Sequence, residues 1–397
     1  MTTWQSQLFK EHAPPDSPID AAIAAATAIR LVSPKLPPVF TLGHLAYSAE
    51  VPYKFVRSVA ERSNVAEHYN VFRIRKRAVT QTEQFRWIAA PHPLLLKTQR
   101  WINCNILRHL PVHDAAFAYI KEGSAFKAAR LHCKATWLIK VDVSNFFESI
   151  LETKIYQVFR RAGYQPLLSF ELSRICTRLA NPELHSATPG NGYSRLRDKG
   201  AAHTISAYAS FALGHLPQGA PTSPMLANLV AKPLDEKVMA LAEQYGLRYS
   251  RYSDDIVLST RSQDFDKKRA QKVVGELYRI LRRAGFTPNL EKTKVSGPGS
   301  KMIVLGLLVD GDVPRLTSEF KERLRMHLYF CQTRGPVAHA LDRKFESVIG
   351  LKHHLLGLIS YAGMVDATFA DHCRVQLNSC SWPILGGVDL NEIPAFA

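Results

Sequence analysis

The amino-acid sequence predicts an α+β fold, an antiparallel sheet clothed in helices and followed by a long helical C-terminal part. Three observations predict it. Short apolar or alternating strands interleave irregularly with amphipathic helices. Neither a regular βα repeat nor a glycine-rich phosphate loop runs through the chain, which argues against doubly wound and P-loop architectures. From Ser318 onward the pattern is helical and basic, with Lys321, Arg323, Arg325, Arg334, Arg343 and Lys344.

The elements follow in order. An alanine-rich helical piece, Ala21 to Ile29, lies between the proline clusters Pro14-Pro15 and Pro34 to Pro38 and reads as an N-terminal extension. A helical pattern spans Gly43 to Arg62, and strand-like alternation covers Tyr69 to Ile88. His92 to Leu110 reads as an amphipathic helix with Lys97, Arg100 and Arg108 on its polar side. An apolar strand, Trp137 to Val141, ends in Asp142; helix follows over Ser149 to Ala162 and on to about Leu179. Residues 181–203, rich in Gly, Pro, Ser and Asn, read as a loop, and Leu216 to Pro224 is a second loop punctuated by Gly and Pro.

A helix from about Met225 to Tyr245 leads into a β-hairpin over Leu247 to Thr260, turning at Tyr252-Ser253-Asp254-Asp255. Asp266 to Ala284 is amphipathic helix closed by Gly285. Strands are expected around Lys294-Val295 and over Met302 to Val309, with a tight turn at Asp310-Gly311-Asp312.

Charge points to the partner. Lys and Arg total 51 against 34 Asp and Glu, so the net charge of +17 suits a polyanion, and nucleic acid is the usual one. No stretch approaches the ~20 apolar residues that span a bilayer, and Met1 to Ala13 is polar without a signal-peptide core, so the expected location is the cytoplasm, with no membrane partner. The six cysteines form no CxxC pair and match no zinc spacing; free thiols are the simplest expectation. The pair His353-His354 lies in a helical stretch and reads as structural or RNA-facing rather than metal-binding.

The chemistry rests on carboxylates. Asp142 ends an apolar strand, and Asp254-Asp255 sit at a hairpin tip between apolar strands. Acidic turns are common in hairpins, but adjacent, partly buried carboxylates repel one another and need a counter-charge. Hard divalent cations supply it through oxygen ligands, and a pair of such ions can serve in-line phosphoryl transfer.

Five ordered motifs then carry a resemblance. Val141-Asp142-Val143-Ser144-Asn145-Phe146-Phe147-Glu148-Ser149-Ile150 resembles the first palm motif of reverse transcriptases, and Leu216-Pro217-Gln218-Gly219-Ala220-Pro221-Thr222-Ser223-Pro224 their LPQG…SP loop. Tyr252-Ser253-Asp254-Asp255 resembles the Y-x-D-D box, Asn289-Leu290-Glu291-Lys292-Thr293 the N-x-x-K-T element of bacterial enzymes, and Val304-Leu305-Gly306 the primer-grip hairpin. The order holds over residues 69 to about 315.

The resemblance implies a right-hand polymerase: an N-terminal extension (1–68), fingers (69–141), a palm with an antiparallel sheet and a 181–203 insertion (142–315), and a helical thumb (316–397). It implies two Mg²⁺ ions, with Mn²⁺ as the alternative, held by Asp142, Asp254 and the Val143 carbonyl, with Asp255 close by. Phe147 would act as a steric gate favouring dNTPs, Gln218 and Gly219 would shape the nucleotide pocket, and Arg86 and Lys76 would meet the triphosphate. Lys292 would protonate the departing pyrophosphate. Arg195 and Arg197 in the loop, and His132, are weaker candidates for RNA contact; His327 and Tyr329 suit packing within the thumb or stacking.

The tone of the motifs is that of retron-type and defence-associated bacterial enzymes, with a noncoding RNA template, a DNA product and a second effector protein as expected partners, and homo-oligomers within reach. Two hallmarks depart from the retron pattern. Ala128-Ala129-Arg130-Leu131-His132 stands for N-A-x-x-H, and Val304-Leu305-Gly306 for V-T-G. Template-independent or protein-primed synthesis, with Tyr193 or Tyr208 as primer, and a catalytically silent RNA-binding scaffold remain the alternatives.

Overall fold

A computed structural model describes residues 17–63, 65–75, 85–179, 213–385 and 388–389. The N-terminal helices are α1 (Pro18–Val32), α2 (Leu42–Ser48), α3 (Tyr53–Glu61) and α4 (Val65–His68). The helical pattern expected over Gly43 to Arg62 is broken between α2 and α3, because Pro52 removes an amide donor and caps α3 instead. Strands β1 (Tyr69–Arg75) and β2 (Phe85–Pro91) pair antiparallel, and α5 (Pro93–Asn105) follows with Pro93 in its first turn. Helix α6 (Ala125–Leu131) precedes the central sheet.

That sheet comprises β3 (Trp137–Ser144), β4 (Arg248–Tyr252), β5 (Asp255–Thr260) and β6 (Thr287–Ser296) in the order β4-β5-β3-β6, with antiparallel neighbours throughout. Around it pack α7 (Glu152–Arg161), α8 (Pro166–Ile175), α9 (Ser223–Gln244) and α10 (Lys267–Arg283). Asp266 caps α10 by accepting from the Arg269 amide at 2.7 Å, and Gly285 leaves it with φ of 78°.

Alternation along the strands sends side chains to two cores. Ile139, Val141 and Val143 of β3 and Ile256 and Leu258 of β5 join the larger core, which the N-terminal helices also enter through Ile29, Leu42, Leu45, Val56 and Val59. Leu138 and Val257, on the other face, join the second core. The described N-terminal helices thus contribute side chains to the main core.

The second core belongs mainly to the C-terminal helices α11 (Ser318–Thr333), α12 (Pro336–Asp342), α13 (Val348–Gly363) and α14 (Ala367–Asn378). A small sheet of β7 (Ile303–Val304), β8 (Leu307–Leu308) and β9 (Arg315–Leu316) joins them to the rest. The tight turn expected at Asp310 to Asp312 is instead part of a longer β8–β9 connection, closed by Arg315 on Asp310 at 2.8 Å. A last pair of strands, β10 (Ile384–Leu385) and β11 (Val388–Asp389), gave no sequence signal because each is two residues long. All six cysteines are free, five of them buried, and no helix among the described residues is long and apolar enough to cross a membrane.

Candidate active site

The site assembles on the open part of the sheet face that carries Leu138 and Val257. Asp142 of β3 lies directly across from Asp255 of β5, so both carboxylates leave the sheet on that face. Asp254 is at the β4–β5 tip, where Ser253 has φ of 59°, and its carbonyl accepts from the Val143 amide at 3.1 Å. This cross-strand bond ties the tip to the strand bearing Asp142.

Strand β6 completes the site through an irregularity. Asp142 pairs with Asn289 but Lys140 with Lys294, so two steps along β3 match five along β6. The bulged Leu290–Thr293 segment is folded back on itself, with Thr293 Oγ1 donating to the Asn289 carbonyl at 2.8 Å. Such bulges re-aim side chains. Here Lys292 Nζ reaches Asp142 Oδ2 at 3.2 Å and Oδ1 at 3.3 Å, and Asn289 Nδ2 donates to Asp142 Oδ2 at 3.2 Å.

The electrostatics are those of a site short of positive charge. Burial, and after it the Asp142 charge, push the Asp254 carboxyl above the usual carboxylate range. Burial also raises Asp255, with Asp254 and Asp142 adding to the rise and Lys140 opposing it. Lys292 offsets part of this negative charge, but its side chain is 61% exposed and solvent weakens its pull. An all-oxygen donor set of this charge fits hard divalent cations. Among the described residues no three His, Cys, Asp or Glu side chains are drawn together as a metal-holding group, and the Lys292 ammonium lies against Asp142 instead.

The remaining sequence-derived positions divide. Phe147 is half-buried, packed edge-on against Phe146 with ring centroids 5.8 Å apart. The Gln218 carbonyl accepts from the Ala89 amide at 2.7 Å, docking the Leu216–Pro224 loop on β2, whose Arg86 is exposed. Gly219 has φ of 111°, and a Cβ there would meet the Ala89 carbonyl oxygen at 2.9 Å, so glycine is required twice over. Val304 is buried, whereas Leu305 (φ 49°) and Gly306 (φ 83°) form the two-residue turn between β7 and β8 rather than lying within a strand. Lys76, Arg195, Arg197, Tyr193, Tyr208 and the 181–203 loop lie outside the described residues.

His132 is a correction. The ring is fully buried, with Nδ1 2.7 Å from Ser259 Oγ and Nε2 2.7 Å from Ser250 Oγ. It cross-links β4 and β5 at the base of the Asp254 hairpin and offers RNA nothing to touch. His327 is likewise buried, 2.8 Å from His339, and His354 lies beside it; Tyr329 is exposed.

Sequence reasoning missed two residues that shape the hairpin. Arg251 is fully buried, bonded to Asp235, Asn228 Oδ1 and the Ser253 carbonyl. Tyr119 donates to Ser253 Oγ at 3.1 Å. Arg251 shares its strand with Arg248 and Ser250, so local sequence does not mark it as the buried one, and Tyr119 leaves no signal either.

Comparison with known proteins bears on this geometry. Residues 74–309, more than half the chain, match the family model described as "Reverse transcriptase (RNA-dependent DNA polymerase)". The chain is 30% identical over 273 residues to the retron Ec86 reverse transcriptase of Escherichia coli, covering 68% of this chain and 73% of that one. It is 28% identical over 321 residues to the retron Mx162 reverse transcriptase of Myxococcus xanthus, covering 76% of this chain and 59% of that one. It is 30% identical over 256 residues to the retron Ec73 reverse transcriptase of Escherichia coli, covering 61% and 71% respectively.

Proposed function

The chain belongs to the reverse transcriptase family and is an RNA-directed DNA polymerase; from that premise we propose that Asp142, Asp254 and Asp255 form its catalytic centre. The observation that carries this reading is the pairing of Asp142 with Asp255 across β3 and β5, with the Asp254 carbonyl bonded to the Val143 amide. Fingers over 69–141, palm over 142–315 and thumb over 316–397 are the matching division of the chain.

Asp142 and Asp254, with the Val143 carbonyl, would hold two Mg²⁺ ions. When bound, these supply Lewis-acid activation of the primer 3′-hydroxyl and charge neutralisation on the triphosphate. Asp255 keeps the local potential negative, and Lys140 limits its effect. Arg86, exposed on β2, suits a bidentate contact with phosphate. Gln218 and Gly219, fixed against β2, bound the nucleotide pocket. Phe147 sits five residues after Asp142 and closes the space a 2′-hydroxyl would need. Lys292, whose ammonium lies on Asp142, is placed to donate a proton to the leaving pyrophosphate. The Leu305-Gly306 turn is the element offered to the primer end.

The template we infer is a cognate noncoding RNA copied into DNA in antiphage defence, alongside a separate effector; the retron relatives and the net charge of +17 support this. The test is to sequence RNA and DNA co-purifying with the tagged protein and with its Asp254→Ala, Asp255→Ala double variant. A discrete RNA plus complementary DNA present only with the wild type is the expected result. DNA without complementary RNA would replace this reading with untemplated or protein-primed synthesis. RNA alone in both samples would leave only a scaffold.

A further inference from the structure

We propose that Tyr119 is a substrate-facing residue of this polymerase, its ring walling the nucleotide site beside Phe147 and its hydroxyl fixing the turn that presents Asp254. The proposal rests on the placement of the nucleotide at Phe147 argued above.

Tyr119 is put there by a built device. The segment before it is strapped along β4: the Arg251 amide donates to the Ala115 carbonyl at 2.7 Å, and the Phe117 amide to the Arg251 carbonyl at 2.9 Å. The buried Asn228 side chain of α9 donates to the Ala118 carbonyl at 2.7 Å. Ala115, Ala116 and Ala118 are all buried, yet Tyr119 is 47% exposed. Its φ is 64°, a left-handed conformation that bulky residues avoid unless surrounding contacts impose it. A ring serving only the core would be turned inward; this one is turned out at the site.

Two contacts define what it faces. The ring centroid lies 6.4 Å from that of Phe147, at 56° between planes, so a nucleotide seated on Phe147 would meet both rings. Its hydroxyl donates to Ser253 Oγ at 3.1 Å, while Arg251 Nη1 donates to the Ser253 carbonyl at 3.1 Å. Ser253, itself left-handed and directly before Asp254, is thus held from two sides. Aromatic faces suit the apolar faces of base and sugar, and stacking of this kind tolerates any base.

The ring and the hydroxyl then have separable signatures, to be read with the full-length protein on poly(rA) primed with oligo(dT). Tyr119→Phe keeps the wall and loses the hydroxyl bond, so kcat falls about two- to tenfold with dTTP KM unchanged. Ser253→Ala reproduces that fall, and the double variant is no worse than either single one. Tyr119→Ala also raises dTTP KM by at least about fivefold. Phe147→Ala, in the same assay, admits ribonucleotides.

Unchanged kcat and KM in Tyr119→Ala, with ribonucleotides admitted by Phe147→Ala, would sink the role of Tyr119 and leave the nucleotide site in place. No change in either variant would remove the nucleotide from this cleft altogether, and Tyr119 with it. Should Tyr119→Ala not fold, as judged by its thermal midpoint, Tyr119→Phe decides: an unchanged kcat overturns the proposal.

Discussion

Arg251 and Asp235 form a two-point ion pair, Nε to Oδ1 and Nη2 to Oδ2 both at 2.7 Å, with neither side chain exposed at all. Tyr249 donates to Asp235 Oδ1, which also accepts from Arg251 Nε, at 2.6 Å. The pair ties α9 to β4 immediately before the hairpin turn that carries Asp254.

Breaking one side of such a pair strands a buried charge. Arg251→Met or Asp235→Leu alone is expected to lower stability by about 3–5 kcal/mol, whereas the double substitution restores part of the loss. Urea unfolding of the three variants measures this. Strict additivity would show that the pair does not act as a unit.

His132 makes stability fall in mild acid. Burial holds its pKa down at about 3, against 6.5 for the ordinary side chain. Above the ordinary value both folded and unfolded chains carry neutral imidazole, and His132 adds no pH dependence. Below it the unfolded chain takes up a proton that the folded one refuses, so stability declines as pH falls toward about 3. The loss reaches about 2 kcal/mol at pH ~5. The difference between wild type and His132→Gln, followed by urea midpoints from neutral pH downward, isolates this contribution; parallel curves would refute it.

Lys292→Met tests the bulge of β6. A general acid contributes typically about 10²–10⁴-fold, so kcat should fall by at least about 10²-fold with dNTP KM little altered. Because Asn289 still holds Asp142, the fold should survive. A kcat close to that of the wild type would reduce Lys292 to a surface charge.

Gly219→Ala combines a left-handed backbone with a Cβ 2.9 Å from the Ala89 carbonyl oxygen. Backbone cannot step aside as a flexible side chain does. A cost of about 1–3 kcal/mol is expected, together with a raised dNTP KM as the Leu216–Pro224 loop leaves β2. Calorimetry and steady-state kinetics check the two parts. A normal KM in a destabilised variant would mean the loop serves the fold alone.

Chelation offers the remaining check on the carboxylates. Excess EDTA should abolish synthesis and added Mg²⁺ restore it, as all-oxygen donor sets bind such ions reversibly. Asp254→Ala should stay inactive at any Mg²⁺ concentration, and activity that persists in EDTA would remove the metal from the mechanism.

The sequence by itself determined the carboxylates and the elements that carry them. Asp142 follows the apolar run Trp137 to Val141, although the strand itself continues to Ser144, and Asp254-Asp255 sit where the hairpin must turn; both are local patterns within ten residues of chain. The α10 boundaries were legible for the same reason, since Asp266 and Gly285 are local start and stop signals. Tertiary structure decided the rest, because its determinants are far apart in sequence. Tyr119 and Ser253 are 134 residues apart, and His132 and Ser259 are 127 apart. Nothing near His132 says that both ring nitrogens will be satisfied by serines on two strands, which turned an apparent RNA contact into a buried clamp. Nothing near Tyr119 says that a strap along β4 will hold it left-handed and half-exposed. A side chain's partner across the sheet is set by how the whole chain packs, and periodicity reports only which face it leaves from.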